Sequence, residues 1–348
     1  MLGIKVPKRM AENVRKYLAK RNLIDINYRI ISNDKFIYFP IGMDARGNAS
    51  LSQIMKLAFA SFVERSFPGS GKGINYKDML KNKLGNEEYS STVKGYDQLG
   101  DIAIIEPKTD KGGRALAKAL LATKKDIRTV LAKGGPVSGR YRTRRYVYIA
   151  GRKNFRALYK ENGSLFEFDL KKSFFSTRLA YERNRISKLV KDGESVCVMF
   201  AGVGPFAIEI AKANKHANIV AIELNKNAYK DMMHNIKLNK VLNVVAELGD
   251  VNKVASKYER FADRIVMPLP KDAYGFLDSA AKMTKKRCIV HYYAFGNRSN
   301  AYEEHVNALR RFFVERGIKL RVLFKRVVRQ YSPSEIEIVV DFLITKLQ

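Results

Sequence analysis

The residues best placed to do chemistry stand at the ends of short apolar runs in the second half of the chain. The first such run closes on Phe200-Ala-Gly-Val-Gly-Pro-Phe-Ala207. Gly202 and Gly204 permit a tight turn and let a ligand come close to backbone, and Pro205 suits the first turn of a following helix. Nineteen residues past Gly204, Glu223 closes the second run. A carboxylate there can accept hydrogen bonds from both ribose hydroxyls of an adenosine. Asp250 closes the third run, placed to reach an adenine amino group, and Met267-Pro-Leu-Pro270 closes the fourth, beside the reactive end of a nucleotide-type cofactor. Gly202-x-Gly204-x-x-Ala207 also fits the dinucleotide fingerprint by letter, a weak signal by itself. Other chemistries find less support. His216, His234, His291 and His305 do not cluster at metal spacing, and Cys288 with His291 offers too few ligands for a structural zinc, so no metal is expected. Ser66-Phe-Pro-Gly-Ser-Gly-Lys-Gly73 fails as a phosphate loop: Ser66 stands where the motif needs glycine, and Gly73 where Ser or Thr must hold magnesium.

Strand ends line up in this way when the strands are parallel and covered on both faces. From residue 167 the pattern is regular alternation: strand-like runs at 195–200, 218–223, 243–250, 263–267 and 287–295, with helix-like stretches up to 215 and over 226–239, and another before 287. An amphipathic helix near 303–316 and two strand patterns, 319–329 and 336–345, close the chain. The last two are joined by a short Tyr-Ser-Pro-Ser turn and must form an antiparallel hairpin. Runs apolar on both faces and separated by helices imply a mostly parallel sheet. The expected fold is α/β: a class I, Rossmann-like methyltransferase sheet with an antiparallel C-terminal hairpin, preceded by two small α/β RNA-binding units. The hairpin and the placing of Asp250 and Pro268 favour S-adenosyl-L-methionine over NAD as cofactor. The expected divisions are 1–65, a small α/β unit with a helix over 7–22 and a strand over 35–40; 66–95, a linker; 96–166, a basic α/β RNA-binding unit with strands at 101–105 and 145–150 and a helix over 114–131; and 167–348, the methyltransferase domain.

Charge supports a polyanionic partner. The 348 residues hold 65 Lys and Arg against 34 Asp and Glu, a net charge of +31, which points to nucleic acid. The excess concentrates at 111–160, where fifteen cations face a single acid, Asp126. Within it Gly139-Arg-Tyr-Arg-Thr-Arg-Arg-Tyr-Val-Tyr148 interleaves Arg, which neutralises phosphates, with Tyr, which stacks on unpaired bases. With 46% hydrophobic residues, global disorder is excluded. Two cysteines make no disulfide framework, and Cys197 and Cys288, both in apolar runs, read as buried thiols of a reducing compartment. Neither a signal-peptide core nor an apolar run of membrane-spanning length occurs, so a cytoplasmic location without membrane contact is expected. A monomer is the favoured state.

Taken together the residues resemble the archaeal and eukaryotic tRNA guanine-37 N1-methyltransferases. The likeness runs through the N-terminal unit, Gly100-Asp-Ile-Ala-Ile, Ser138-Gly-Arg-Tyr-Arg142, Phe174-Phe-Ser-Thr-Arg178 leading to Glu182-Arg183, and Phe200-Ala-Gly-Val-Gly-Pro. It implies S-adenosyl-L-methionine as methyl donor, tRNA position 37, in the anticodon loop, as target, and 1–65 as a tRNA-binding unit that grips the body of the tRNA. By resemblance Arg142 stabilises the guanine O6 and Glu182 accepts the N1 proton, while Phe174, Arg178, Phe200, Gly202, Gly204, Glu223, Asn225, Asp250 and Pro268 surround the cofactor. Two departures matter. Thr177 replaces the family's proline, and Pro268-Leu-Pro270 stands where guanine-only enzymes carry Asn-Leu-Pro. The archaeal subgroup that also methylates carbon 7 of the tricyclic wyosine precursor is similar in having proline there, which implies a second substrate and adds Pro268 to the catalytic set. The alternative with the same fold and target is transfer of the cofactor's aminocarboxypropyl group in the wyosine pathway. An NAD-dependent oxidoreductase leaves the charge unexplained, and a non-enzymatic RNA binder leaves Glu223 and Asp250 unexplained.

Overall fold

The computed structural model describes residues 1–21, 23–25, 27–41, 49–69, 75–136 and 138–346. They divide into two compact units, one of residues 1–94 with 109–125 and the other of residues 95–108 with 126–348.

In the first unit, β1 (Leu2–Pro7), α1 (Ala11–Lys20), β2 (Ile31–Ser32), β3 (Phe36–Pro40), α2 (Ala49–Leu57) and β4 (Ser61–Glu64) build an antiparallel sheet of order β2-β3-β1-β4. Its core joins Ile4 and Val6 of β1, Val14 and Leu18 of α1, and Phe39 of β3. Val14 and Leu18 are four apart, so α1 turns one apolar stripe inward. The same unit holds α3 (Tyr76–Ser91) and α4 (Asp110–Thr123). Two expectations are corrected here. The 66–95 segment is not a plain linker, since α3 occupies most of it, N-capped by Asn75 through Lys77 N at 3.1 Å. Gly85, at φ +73°, breaks α3 into two short stretches, each too short to show a helical period. Residues 70–73 of the rejected phosphate loop lie outside the described residues. The helix expected over 114–131 stops at Thr123, and its last residues belong to a strand, β7 (Thr129–Lys133). A short run buried on both sides looks alike in either periodicity.

The second unit contains β5 (Tyr96–Leu99), β6 (Ile102–Ile105), β7 and β8 (Tyr146–Gly151), a sheet in that order with only β6 and β7 parallel. A hairpin of β9 (Arg156–Glu161) and β10 (Ser164–Asp169) follows. The boundary expected after residue 166 falls inside β10. Then come α5 (Ala180–Leu189), β11 (Ser195–Met199), α6 (Pro205–Ala213), β12 (Asn218–Glu223), α7 (Lys226–Leu238), β13 (Val244–Leu248), α8 (Val251–Val254), β14 (Ala262–Met267), α9 (Leu277–Met283), β15 (Thr284–Asn297), α10 (Ala301–Val314), β16 (Ile318–Gln330) and β17 (Glu335–Lys346). The large sheet has the order β13-β12-β11-β14-β15-β17-β16. Its first five strands are parallel and β17 runs antiparallel between β15 and β16, the class I methyltransferase arrangement. Separate apolar clusters form around the two sets of side chains that alternate along β11: Val196 and Val198 pack with α6 and Met232, Cys197 and Met199 with α9 and α10. Both cysteines are buried, and burial pushes the Cys197 thiol up to about 12. Among the described residues no helix is long and apolar enough to cross a membrane.

Candidate active site

A cavity of about 550 Å³ opens at the carboxyl ends of β11, β12 and β14, the size of a small-ligand site. It lies wholly within the second unit, and both the basic sheet and the large sheet line it.

Its floor begins with the turn after β11. Phe200 takes φ +57° and Gly202 φ +59°, and Gly202 N donates to Glu223 Oε2 at 2.7 Å. Glu223 Oε1 accepts from Asn225 N, also at 2.7 Å. The acid at the end of β12 therefore pins the glycine turn on one side and the start of α7 on the other. Burial pushes the Glu223 carboxyl above its ordinary value, and the N–H groups of Asn225 and Gly202 pull it part of the way back. A half-buried carboxylate held by two backbone donors at the cavity wall fits a ribose diol. Asn225 is buried behind it, its amide donating to Lys172 O at 2.6 Å and its Oδ1 capping α7 through Asn227 N. Asp250 caps α8 through Asn252 N and also pairs with Arg140, Nη2 to Oδ2 at 2.7 Å.

The wall opposite comes from 139–146. Gly139 O accepts from Arg142 N at 3.0 Å, and the turn puts Arg142 at φ +52°. A non-glycine residue in the left-handed region costs of order 1 kcal/mol or more and persists where surroundings impose it. Arg142 and Phe200 are two such residues, and both line the cavity. Arg142 Nη1 lies 3.8 Å from Asp272 Oδ2. Tyr141, 54% exposed, stands between Arg140 and Arg142 with its ring open to solvent. Phe174, Arg178 and Pro268 complete the lining.

Two expected residues stand elsewhere. Gly204, at φ +90°, begins α6 and does not line the cavity; a Cβ there would sit 2.9 Å from Met232 Cγ, so its bareness serves packing against α7. Glu182 does not line it either. In the first turn of α5 and 1% exposed, it is held by Arg185 Nη2 at 2.8 Å and Tyr293 Oη at 3.0 Å on Oε2, and by Arg326 Nη1 at 3.0 Å on Oε1. Arg185 continues to Asp341, which bonds His291 Nδ1 at 2.7 Å, so Glu182 ends a buried polar chain. Arg142 and Glu182 fall in one compact unit instead of two. Three groups at the cavity were not foreseen: Asp272 opposite Arg142, Tyr331 packed on Phe295 with ring centroids 4.6 Å apart, and Glu337.

Comparison with known proteins agrees with this fold. Residues 157–323 match the TRM5/TYW2 methyltransferase domain, 3–49 the tRNA methyltransferase 5 N-terminal domain, and 76–154 the TYW2 N-terminal domain. The tRNA (guanine(37)-N(1))-methyltransferase Trm5b of Pyrococcus abyssi is 35% identical, over 99% of each chain. The tRNA 4-demethylwyosine(37)-methyltransferase Taw21 of Saccharolobus solfataricus is 34% identical over 71% of this chain and 93% of its own. The solved complex of aTrm5 and tRNALeu superposes with a TM-score of 0.71 at 29% identity, over 99% of each chain. With the strand order and full-length identity in agreement, the chain belongs to the TRM5/TYW2 family of S-adenosylmethionine-dependent methyltransferases.

Proposed function

We propose that the cavity transfers a methyl group from S-adenosyl-L-methionine to N1 of guanine 37 in tRNA. The observation that carries this is the convergence of Glu223, Asp250, Arg142 and Pro268 on one space. Glu223 holds the ribose, Asp250 meets the adenine amino group, and Phe174, Arg178, Phe200 and Gly202 enclose the rest. Asn225 acts through Glu223, whose carboxylate it orients. Bound there, the cofactor supplies an electrophilic methyl on a sulfonium.

For the chain's own residues the task is chiefly positioning. Arg142 directs its guanidinium at the O6 edge of the base, where negative charge grows as N1 loses its proton. Its strained backbone supports that role, since a fixed φ limits the directions the side chain can take. Tyr141 offers an open face on which a splayed base stacks. Glu182, the proton acceptor implied by the resemblance, stands behind the wall with both oxygens engaged. Residues 111–160 contact tRNA phosphates, and 1–65 grip the tRNA body.

Pro268 supports a second substrate, carbon 7 of the tricyclic wyosine precursor at position 37. An asparagine at the end of β14 would bring a donor and an acceptor needing partners once a base closes over them, at about 1–3 kcal/mol if unmet. Proline makes no such demand on a larger ring system. The likeness to Taw21 favours the same reading. The test is nucleoside mass spectrometry of phenylalanine tRNA, supplied either unmodified or carrying the tricyclic precursor. N1-methylguanosine from the first is expected, and a methylated tricycle from the second. Pro268→Asn should shift the balance toward N1-methylguanosine. A gain of aminocarboxypropyl mass would identify the alternative transferase, and an untouched tricycle would restrict the enzyme to guanine.

A further inference from the structure

Two rungs of side chains cross the large sheet on the face that meets α5. His291 of β15, Asp341 of β17 and Phe324 of β16 stand in register, followed by Tyr293, Val339 and Arg326. Glu182 and Arg185, three residues apart and so neighbours on α5, reach both rungs. Arg185 divides its fork. Nη2 and Nε donate to Glu182 Oε2 at 2.8 and 3.0 Å, while Nη1 donates to Asp341 Oδ2 at 2.5 Å. Asp341 is held in one orientation. His291 Nε2 lies 2.9 Å from Arg264 Nη1, and an arginine can only donate, so Nε2 accepts and Nδ1 carries the ring proton. Nδ1 then donates to Asp341 Oδ1 at 2.7 Å. Glu194 and Leu189 O fix Arg264 in turn. Burial pushes the Asp341 carboxyl up, but His291 and Arg185 outweigh it and hold the group below its ordinary value. Burial also keeps His291 neutral against the pull of Asp341. Asp341 therefore stands opposite Glu182 as a second, permanent anion, and together they match Arg185 and Arg326. The other groups near Glu182 are neutral or matched. Burial keeps the Tyr293 hydroxyl protonated, Glu337 pairs with Arg329, and Glu209 of α6 turns to Asn162 and Arg183.

On the reading that this enzyme methylates N1 of a guanine with Glu182 as proton acceptor, we infer that Asp341 is a positioning residue for that transfer, holding Arg185 while Glu182 gives up its charge. As the N1–carbon bond forms, the carbon–sulfur bond breaks and sulfur keeps its electron pair; the N1 proton passes to Glu182 and leaves from there to solvent. Once Glu182 is neutral its two arginines lose an anion. Arg326 is one-third exposed and rests on the open ring of Tyr181 at 3.7 Å, so water and the ring take it over. Arg185 is nearly buried and has no such exit. A buried cation left without a partner is strongly unfavourable, and Asp341, already bonded to it, supplies the partner. The sharing of one guanidinium between two carboxylates thus lets a buried, paired glutamate take up a proton.

The test uses the full chain, a tRNA transcript with guanine 37 and methyl-labelled cofactor, with single-turnover rates measured from acid to alkaline pH. Asp341→Asn keeps an oxygen for His291 and Arg185 but removes the charge, so Arg185 rests on Glu182 alone and resists its protonation. The plateau rate should fall roughly tenfold or more and the acid limb should move about one unit to lower pH, while cofactor and tRNA affinities stay within a few-fold. Arg185→Gln reverses the imbalance and should move the limb to higher pH. The double variant, Asp341→Asn with Arg185→Gln, restores the charge balance and should bring the limb back near its wild-type position. An Asp341→Asn enzyme slowed alike at every pH, with the limb unmoved, would show that Asp341 only holds the fold, and the inference would fall. If Asp341→Asn does not fold, the other two variants decide, and a limb at the same pH in both overturns the inference. A Glu182→Gln enzyme with wild-type rate and limb would overturn the acceptor reading and the inference with it. No N1-methylguanosine from wild type would instead overturn the proposed function.

Discussion

Gly202 and Gly204 look alike in sequence, and the structure gives them different work, which a pair of alanine substitutions separates. At Gly204 the added methyl would stand 2.9 Å from Met232 Cγ and 3.2 Å from Ile208 Cδ1, on backbone at φ +90°. The left-handed backbone costs an L-residue about 1–2 kcal/mol, and overpacking adds about 1–3 kcal/mol. Met232 is flexible and relieves part of this, so Gly204→Ala should destabilise by roughly 2–4 kcal/mol. In a unit of this size that lowers Tm by about 5–15 °C. At Gly202, φ +59°, the nearest heavy atom to the new methyl is Phe174 O at 3.8 Å, so nothing clashes. The cost there is backbone strain alone, about 1–2 kcal/mol, but the methyl enters the cavity where a ligand must approach backbone. S-adenosylmethionine affinity should therefore fall about tenfold or more, about 1.4 kcal/mol per tenfold. Gly204→Ala, measured where it is folded, should change that affinity less than about threefold. Calorimetric melting and cofactor titration of both variants settle the matter. A Gly204→Ala protein that melts normally but loses the cofactor would refute the reasoning, as would a Gly202→Ala protein that binds normally.

Glu223→Ala removes the acceptor of two 2.7 Å backbone hydrogen bonds as well as the proposed ribose contact. At about 1.5–3 kcal/mol per charged hydrogen bond, cofactor affinity should fall on the order of a hundredfold, with tRNA affinity measured without cofactor nearly unchanged; unaltered equilibrium dialysis would contradict the assignment. Binding of tRNA should weaken steeply with salt, by roughly 0.7–0.9 log units per log unit of salt for each phosphate contact, and a flat salt dependence of filter-binding constants would remove the role of 111–160. Glu209, buried beside Glu161 and bonded by Asn162 Nδ2 at 2.7 Å, is pushed up to about 8, chiefly by burial and then by Glu161. Its folded value lies above the unfolded one, so it contributes stability that is full below the ordinary carboxyl range and lost as pH rises through about 8. Urea unfolding of wild type should weaken from pH 5 to 8 and that of Glu209→Gln much less; equal slopes would show that Glu209 does not hold its proton in the fold.

The strand-end half of the site could be read from the residues because parallel strands buried on both faces leave continuous apolar runs whose last residues must converge. Phe200, Glu223, Asp250 and Pro268 all line the cavity for that reason. The hairpin of β9 and β10 had an equally local signal, Asn162-Gly163 at φ +46° and +76° between alternating runs, which a search for two-residue turns would have found. Other features had no local signal. The left-handed backbone at Arg142 follows from how the 138–143 turn closes, and the letters Gly-Arg-Tyr-Arg allow several closures. Glu337 is the sharpest case. Glu335-Ile-Glu337-Ile alternates like a strand with one wet face, and on an edge strand that glutamate would be solvated. The chain instead inserts β17 between β15 and β16, which pairs both of its edges, and the sheet is covered so that consecutive residues from Ile336 to Phe342 are buried and the wet face becomes interior. A glutamate carried into that position needs a partner, and the register supplies Arg329 directly across. The burial of Glu337 therefore follows from strand order together with the layers packed on the sheet, neither of which pairwise spacing along the chain encodes. The same order sets it one strand from the loop after β14, at the cavity wall.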